Sequence, residues 1–330
     1  MFRKLWKTIK YFGILIIILI ILPHSILPRQ TSASSEVKEI EKYKELNDKE
    51  KRLEEYKDDD EMLKLKLAQV DVINTSRKKF RAQPVKLDIF ASRVANKMAR
   101  EAGENDFIGH WNLAGEKPYH RYGFAGGYDH VSENAYGEWT TGSYEISSFT
   151  ITSMMQKGHN SFMKEKAPND GHKKTIIDKY HNYVGIGCYL NRNQFRYYEE
   201  FIDRYIDFEN IPAVVTPGEK FRIKIKPLNN EYPYYLVVYR EKNLKPMSPQ
   251  EIKKRGSYSD FTEEEYARFT AWELSAFRNG DSYSIPLSFS KEGIYYIQIF
   301  LDSREITKPA ALNTKGKTPA SGIVIKADQK

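Results

Sequence analysis

The stretch from Gly109 to Gly137, GHWNLAGEKPYHRYGFAGGYDHVSENAYG, constrains this chain more than any other. Gly and Pro interrupt it repeatedly, so it is predicted to form loops and turns rather than one long helix or strand. It also concentrates chemically active side chains, among them His110, Arg121 and Glu133. Binding and catalytic groups occur preferentially on loops that a rigid scaffold holds. The stretch therefore indicates either a functional site or a long surface loop with scattered polar residues.

The motifs of this stretch resemble the first signature of the CAP superfamily. These SCP/TAPS proteins include the cysteine-rich secretory proteins, antigen 5 and the plant pathogenesis-related proteins. The resemblance rests on HWNLAGEKPYHRY, on a Gly-Gly pair and on the triplet Ser132-Glu133-Asn134. The second signature of the family is a small residue before His, followed by a V-G-[IV]-G strand. Here it reads Gly171-His172 and then Val184-Gly185-Ile186-Gly187, in the family's order.

The resemblance implies an α-β-α sandwich with two His and two Glu around one cleft. It assigns His110 and His172 as metal ligands, and Glu133 and Glu165 as catalytic carboxylates. Glu165 follows Phe162 where the family usually has Trp, so it matches least well. The residues expected to line or brace the cleft are Arg121, Tyr122, Asn134 and His159.

The residue types agree with a cation site. Neutral imidazole is the commonest zinc ligand, and two His with carboxylates suit Zn²⁺ or another divalent cation. A carboxylate beside such a metal could polarise a bound water. The four residues are far apart in the sequence, however, and no HExxH motif is present. The alternative is a hydrogen-bonded His/Glu cluster that holds the cleft loops together.

Charge and cysteine content exclude several classes of protein. The single Cys rules out an intramolecular disulfide, which fits the cysteine-poor bacterial members of the family. Cys188 lies in an apolar run and is predicted to be a small core residue.

The formal charge is +8, with no stripe of Lys and Arg interleaved with aromatic residues. A nucleic-acid partner is therefore not expected.

Residues 1–30 are predicted to be a signal peptide or an N-terminal membrane anchor. A basic start precedes an apolar run from Gly13 to Leu22, which has the length of a signal-peptide core. The charge-free stretch continues to Pro28, which could just span a bilayer. Both possibilities place the body of the protein outside the cytoplasm, secreted or membrane-anchored. A lipoprotein is excluded because this region has no Cys.

The remaining chain divides into three segments. Residues 31–62 are rich in Lys, Glu and Asp and are predicted to be a solvated helical stalk or linker, with a weak coiled coil as the alternative. Residues 63–208 are the CAP domain, in which Asp88 is expected to cap a helix. Residues 209–330 are predicted to be an immunoglobulin-like β-sandwich, because runs such as Phe221–Lys226 alternate strictly. Within it, Thr262 and the glutamates after it have capping-box form and predict a short helix.

The predicted fold class is thus α+β, a CAP-type α-β-α sandwich followed by an all-β accessory domain. The first functional hypothesis is an extracellular protein that binds a lipid, glycan or peptide in the His/Glu cleft, with or without a cation. The second is a metal-dependent hydrolase of peptidase type that uses the same four residues. The third is a structural surface protein in which the cleft has no role.

Overall fold

The computed structural model describes residues 33–258 and 264–329. Residues from Ile40 to the C-terminal end of the described chain belong to one compact unit. The predicted signal peptide or anchor, residues 1–30, lies outside the described residues. No helix within the described ranges is long and apolar enough to cross a membrane.

The first half of the chain supplies most of the helices. They are α1 (Ala33–Lys49), α2 (Asp60–Lys79), α3 (Ile89–Glu104), α4 (Pro118–Phe124), α5 (Ser148–Met163) and α6 (Gly171–Ile177), with a 3-10 turn at Glu54–Tyr56. The strands of this half are β1 (Lys86–Leu87), β2 (His130–Trp139), β3 (Tyr183–Leu190) and β4 (Gln194–Asp203). They form one sheet in the order β1-β3-β4-β2, in which only β1 and β3 run parallel.

Helices cover both faces of this sheet. Helices α2 and α5 pack on one face through Ile73, Met155 and Phe162, against alternate residues of β3 and β4. Helices α3 and α4 pack on the other face, where Met98 and Tyr119 are buried. The predicted α+β class with an α-β-α sandwich is confirmed.

Glycines in β3 explain how closely α3 approaches the sheet. A Cβ atom at Gly185 would lie 2.4 Å from the backbone of Ala91, and one at Gly187 would lie 2.2 Å from that of Ala95. Small residues on both sides therefore let the helix backbone rest on the strand. The helix begins as predicted, because the Asp88 carboxylate accepts a hydrogen bond of 2.7 Å from the backbone N–H of Ala91.

The segment predicted as a solvated stalk differs from that expectation. From Ile40 onward it belongs to the compact unit. Tyr43 is buried in the same core as α2, and the carbonyl of Asn47 accepts a hydrogen bond of 2.6 Å from Arg93. The charged composition concealed this packing, since only one face of α1 is buried.

The second half of the chain is built mostly from strands. They are β5 (Ile206–Glu209), β6 (Val214–Val215), β7 (Lys220–Pro227), β8 (Tyr232–Glu241), β9 (Glu264–Thr270), β10 (Arg278–Asn279), β11 (Ser282–Ser288), β12 (Gly293–Asp302), β13 (Thr318–Pro319) and β14 (Ile323–Ala327), with short helices α7 (Pro249–Lys253) and α8 (Ala271–Ser275). One sheet has the order β10-β11-β7-β5 and the other β6-β14-β12-β8-β9, with β13 paired to β12. Ile225 and Ile285 of the first sheet share a core with Val238 and Ile297 of the second, which confirms the predicted β-sandwich.

Two details of this half differ from the sequence predictions. The boundary expected at residue 209 falls earlier, because β5 already pairs with β7 in the sandwich. The helix predicted from Thr262 is wrong over its described part, since Glu264–Thr270 form strand β9. Capping boxes do start helices nearby, with Ser248 and Glu251 at α7 and with Thr270 and Glu273 at α8.

The two halves dock through buried aromatic and aliphatic side chains. The rings of Tyr119 in α4 and Tyr296 in β12 stack with centroids 4.2 Å apart. A Cβ atom at Gly123 would lie 2.7 Å from the side chain of Val324, so α4 lies directly on β14. The carboxylate of Glu241 at the end of β8 accepts hydrogen bonds from the Tyr119 hydroxyl and, at 3.2 Å, from Lys117. The outer face of the six-stranded sheet is therefore an internal surface of the molecule.

Candidate functional site

Residues from both sequence motifs line one cleft of about 840 Å³ between the two halves of the chain. Its first wall comes from the α-β-α sandwich and carries the predicted ligands His110 and His172. Its second wall comes from strands β8 and β12. The described lining residues are His110, His130, Ser132, Asn134, Glu165, Pro168, Asn169, Gly171, His172, Thr175, Tyr235, Val237, Tyr239, Ser257, Tyr258, Gln298, Phe300, Thr314 and Pro319.

His110 is held from behind by Glu133. Its Nδ1 atom lies 2.8 Å from the Glu133 carboxylate, whose side chain is fully buried. Burial, and then the positive charge of Arg121, lower the pKa of His110 to about 4. The ring is therefore neutral at physiological pH. With a proton on Nδ1 it donates to Glu133, and its Nε2 atom carries a lone pair.

His172 forms the second pair, with Glu165. Its Nδ1 atom lies 2.5 Å from the Glu165 carboxylate, which also accepts from the His172 backbone N–H at 3.1 Å. The carboxylate thus binds the first turn of α6 as well as the ring. Phe162 stacks on the imidazole at 4.7 Å between centroids, so the Phe at the family's Trp position supports the ring from α5.

The two pairs face the same space. The ring centroids of His110 and His172 are 6.3 Å apart. The Glu133 and Glu165 carboxylates each orient a histidine ring through its Nδ1 atom. Among the described residues, none makes a hydrogen bond with the Nε2 atom of His110 or of His172. Metal-bound histidines in proteins usually have such a carboxylate behind them. The donor set therefore fits a divalent cation, although the described chain contains no group of three or more His, Cys, Asp or Glu placed to hold one.

A buried charge cluster lies behind His110. Arg121 donates to the Glu133 carboxylate and to the His110 carbonyl, the latter at 2.7 Å. Glu200 of β4 lies 3.6 Å from the Arg121 guanidinium. Burial, and then the charge of Glu133, raise the pKa of Glu200 well above its ordinary value. Burial and the neighbouring Glu133 carboxylate therefore favour the protonated form of Glu200 beside Arg121.

A second histidine cluster meets the cleft at the start of β2. The Nδ1 atoms of His130 and His181 lie 2.7 Å and 2.6 Å from the two oxygens of Asp203. Burial would raise the pKa of Asp203, but the two histidines outweigh it and lower the pKa to about 2. Asp203 therefore stays ionised and holds His130 at the edge of the cleft.

Asn134 lines the cleft, whereas His159 does not. The Asn134 amide donates to the His172 carbonyl at 3.1 Å and to Glu199 at 3.0 Å. Its Oδ1 atom is buried and finds no donor within the described chain. His159 is fully buried behind it, between Glu199 at 2.9 Å and the Ser76 hydroxyl at 2.9 Å. His159 faces the α2 side of the sheet, which corrects its prediction as a lining residue.

The prediction for Tyr122 is also corrected. Neighbouring residues on a helix point about 100° apart, so Arg121 and Tyr122 of α4 cannot face the same site. Arg121 braces Glu133 from beneath the cleft. Tyr122 packs on Phe90 at 5.2 Å between centroids and donates to Asp129 at 2.9 Å, beside a different cavity.

Cys188 is half-buried in β3 and packs against the core of the α-β-α sandwich. Burial raises the pKa of its thiol to about 11, so it carries no thiolate at neutral pH.

Several site residues were missed by the sequence predictions. Tyr258 lies 4.9 Å from His110 between ring centroids, and Tyr235, Tyr239 and Phe300 form the second wall. The spacing in β8 was a usable signal, because Tyr235 and Tyr239 share one face of the strand, opposite to the core residues Leu236 and Val238. Glu200 also gave a signal, as one of two adjacent carboxylates between aromatic residues of β4.

Comparisons with known proteins give similarities at low identity. No protein-family model matches the sequence, and no curated protein matches it. An extracellular protein with an SCP domain from Bacillus anthracis is 16% identical over 42% of this chain and 39% of its own, with a TM-score of 0.32. An outer surface protein from Borrelia burgdorferi is 19% identical over 43% of this chain and 93% of its own, with a TM-score of 0.33. The CAP domain of enterococcal PrgA is 14% identical over 53% of this chain and 80% of its own, with a TM-score of 0.33.

The match thus spans about two fifths of the Bacillus protein. Within this chain, both signature motifs occur in the order that the family requires. The fold places their histidines, each with its glutamate, around one cleft of an α-β-α sandwich. The first half of the chain is an α-β-α sandwich that carries both motifs around one cleft, and a β-sandwich is docked onto it.

Proposed function

We propose that this chain is an exported or membrane-tethered binding protein, whose cleft at His110 and His172 captures an extracellular lipid, glycan or peptide. The observation that supports it best is the convergence of the two His–Glu pairs on one cleft of about 840 Å³. Ligand sites are typically concave, with a few polar groups that converge on the ligand. Export is proposed from the basic N-terminus followed by an apolar run.

The geometry favours binding over hydrolysis. A general base must reach the water that it activates. The Glu133 carboxylate is fully buried, and His110 and Arg121 occupy its oxygens. Glu165 is engaged by His172 and by the backbone of α6. Both carboxylates therefore orient imidazoles: Glu133 is closed off from the cleft, and Glu165, which lines it, is committed to His172 and to the start of α6.

A divalent cation is a separate component of the proposal. His110 and His172 would hold it through their Nε2 atoms, and it would supply a positive charge for oxygen atoms of the ligand. Two protein ligands are fewer than the three of a typical catalytic zinc site. We therefore expect weak zinc binding, which calorimetry of the parent and of His110→Ala/His172→Ala would measure. Equal zinc uptake by both proteins would exclude this site.

The binding proposal is tested by NMR of the full-length chain in detergent micelles, with labelled histidine rings. The chain has only 7 His, and His110→Gln and His172→Gln assign the two signals of interest. A lipid, an oligosaccharide or a peptide that enters the cleft should shift both. If none of the three ligand classes shifts either ring signal, the proposal is wrong.

Export is tested by adding protease to intact cells, since an exported body would be digested from outside.

A further inference from the structure

The second wall of the cleft belongs to the β-sandwich. Tyr235, Val237 and Tyr239 of β8 face the cleft, while Leu236 and Val238 between them are buried in the sandwich core. Across the strand pair, Phe300 lies beside Tyr235 and Gln298 beside Val237. These side chains form a continuous face, opposite to the two histidines. A ligand that touches His110 or His172 therefore also touches this sheet.

The charge of the lining does not favour anionic ligands. None of the described lining residues is Lys or Arg, and Glu165 is the one carboxylate among them. The Arg121 guanidinium is engaged by Glu133 and Glu200 below the cleft. A phosphate or a polyanion would therefore find no Lys or Arg side chain among the described lining residues to replace its water.

The lining also does not suit a lipid chain. Val237 is the one aliphatic side chain of Val, Leu, Ile or Met type among the described lining residues. Acyl chains and sterols are held by continuous aliphatic surface, because their affinity comes from the area removed from water. Here hydroxyls, amides and imidazoles interrupt the apolar surface throughout.

The second wall cannot accept a peptide as an extra strand. Strand β8 pairs with β12 on one side and with β9 on the other, and β12 pairs with β14 and β8. Strand addition requires an unpaired edge. On this wall the ligand therefore meets a sheet face, where only side chains are available.

Aromatic rings and neutral hydrogen-bonding groups remain. Tyr235, Tyr239 and Phe300 are half-buried, so their rings are reachable from the cleft. The opposite wall offers the hydroxyls of Ser132 and Thr175, the amide of Asn169 and the buried, unpartnered Oδ1 atom of Asn134. Sugars have apolar C–H faces that lie on aromatic rings and hydroxyls that donate to amide and imidazole acceptors.

From these observations we infer that the cleft binds an uncharged glycan chain, with sugar rings on Tyr235, Tyr239 and Phe300 and hydroxyl groups toward His110, His172 and Asn134. The inference rests on the proposed binding function and names the class of its ligand. The β-sandwich is then half of the binding site rather than a separate module.

The test uses the full-length chain, with chitohexaose and cellohexaose as neutral probes and a heparin hexasaccharide as the charged probe. We expect calorimetry to detect a neutral oligosaccharide and not heparin. Tyr239→Ala/Phe300→Ala should weaken that binding by about tenfold or more. Phe149→Ala is the matched control, because Phe149 is 83% exposed outside the cleft. It should leave the affinity unchanged.

The outcomes separate the two proposals. If a peptide or lipid shifts the His110 ring signal and the neutral oligosaccharides do not bind, the glycan assignment fails and the binding function stands. Oligosaccharide binding that is equal in the double variant and the control would overturn the role of the sheet face. Circular dichroism checks the fold of each variant, and Phe300→Leu, which keeps most of the packing, should still lose affinity because it removes the ring.

Discussion

The ring of Tyr258 lies 4.9 Å from that of His110, and its hydroxyl accepts a hydrogen bond of 2.9 Å from the backbone N–H of Glu133. Tyr258 belongs to the connection between β8 and β9, whereas His110 and Glu133 belong to the α-β-α sandwich. The second half of the chain thus covers part of the His110–Glu133 pair of the first. Most of the imidazole is kept from water, since 13% of the side chain is exposed, and this favours the uncharged ring.

The first prediction concerns the titration of His110. Its pKa of about 4 lies below the ordinary 6.5, because burial and Arg121 disfavour the charged ring. The unfolded chain then binds the proton more tightly, so stability falls as the pH drops from about 6.5 to about 4. NMR titration of the ring measures this directly. Tyr258→Ala should move the pKa toward 6.5, and a parent ring that already titrates near 6.5 would contradict the burial argument.

The second prediction concerns Glu200. Its pKa is raised above 4.5 by burial and by Glu133, so the folded state keeps a proton that the unfolded state releases. Stability should therefore decline as the pH rises above about 4.5. Glu200→Gln mimics the protonated acid and should remove this decline. Urea unfolding free energies of parent and variant, measured across neutral pH, should diverge, and parallel curves would contradict the raised pKa of Glu200.

Glu133→Gln is the comparison for that experiment. It removes the carboxylate to which Arg121 donates, and the remaining carboxyl group, that of Glu200, lies 3.6 Å from the guanidinium. We expect it to cost about 3 kcal/mol of unfolding free energy. We expect this loss of unfolding free energy at every pH at which the Glu200→Gln variant still folds.

The third prediction concerns the docking of the two halves. Glu241 accepts from Tyr119 and Lys117 and lies 3.3 Å from His120 Nε2. Glu241→Ala would leave these donors without an acceptor at a buried contact, at a cost of about 2–3 kcal/mol. Urea unfolding measures it, and a second transition should appear if the sandwich separates first. The control is Glu264→Gln on exposed β9, which should change stability by less than about 0.5 kcal/mol. If Glu241→Ala and Glu264→Gln lowered the unfolding free energy equally, the proposed role of Glu241 in docking the two halves would be wrong.

The fourth prediction concerns the contact between β3 and α3. Gly185→Ala would place a Cβ atom 2.4 Å from the Ala91 backbone, where no side chain can move aside. We expect a loss of about 1–3 kcal/mol or more, as for other overpacked cores. Gly256→Ala is the matched control, since nothing lies within 4 Å of its Cβ position. Thermal unfolding should separate the two variants, and a parent-like melting temperature for Gly185→Ala would mean that α3 can shift.

Local signals in the sequence predicted most elements of the fold. Asp88 caps α3 as expected, and the V-G-I-G run forms β3 against a small-residue stripe of the helix. The family motifs also located His110 and His172. These predictions succeeded because caps, alternation and glycine spacing act over a few neighbouring residues.

Long-range packing could not be predicted in the same way. Tyr122 and His159 lie next to or between motif residues, yet the geometry of the helices that carry them turns both side chains away from the cleft. Tyr258 and Phe300 reach the cleft of His110 only because the β-sandwich docks on the α-β-α sandwich. That docking depends on contacts such as Tyr119 with Tyr296, which are far apart in sequence. The packing of the charged α1 segment also depends on long-range contacts, because Tyr43 is buried in the core that α2 shares.

The docked surface has a consequence for how this protein evolves. Phe90, Val94 and Tyr119 of the α-β-α sandwich cover Ile294 and Tyr296 of the β-sandwich. Separated at the domain boundary, each half would present a contiguous apolar patch to solvent, which promotes aggregation. If recombination transferred one half into another gene, the new protein would need another domain or segment to bury that apolar patch. The two halves are therefore expected to be inherited together, as one heritable unit.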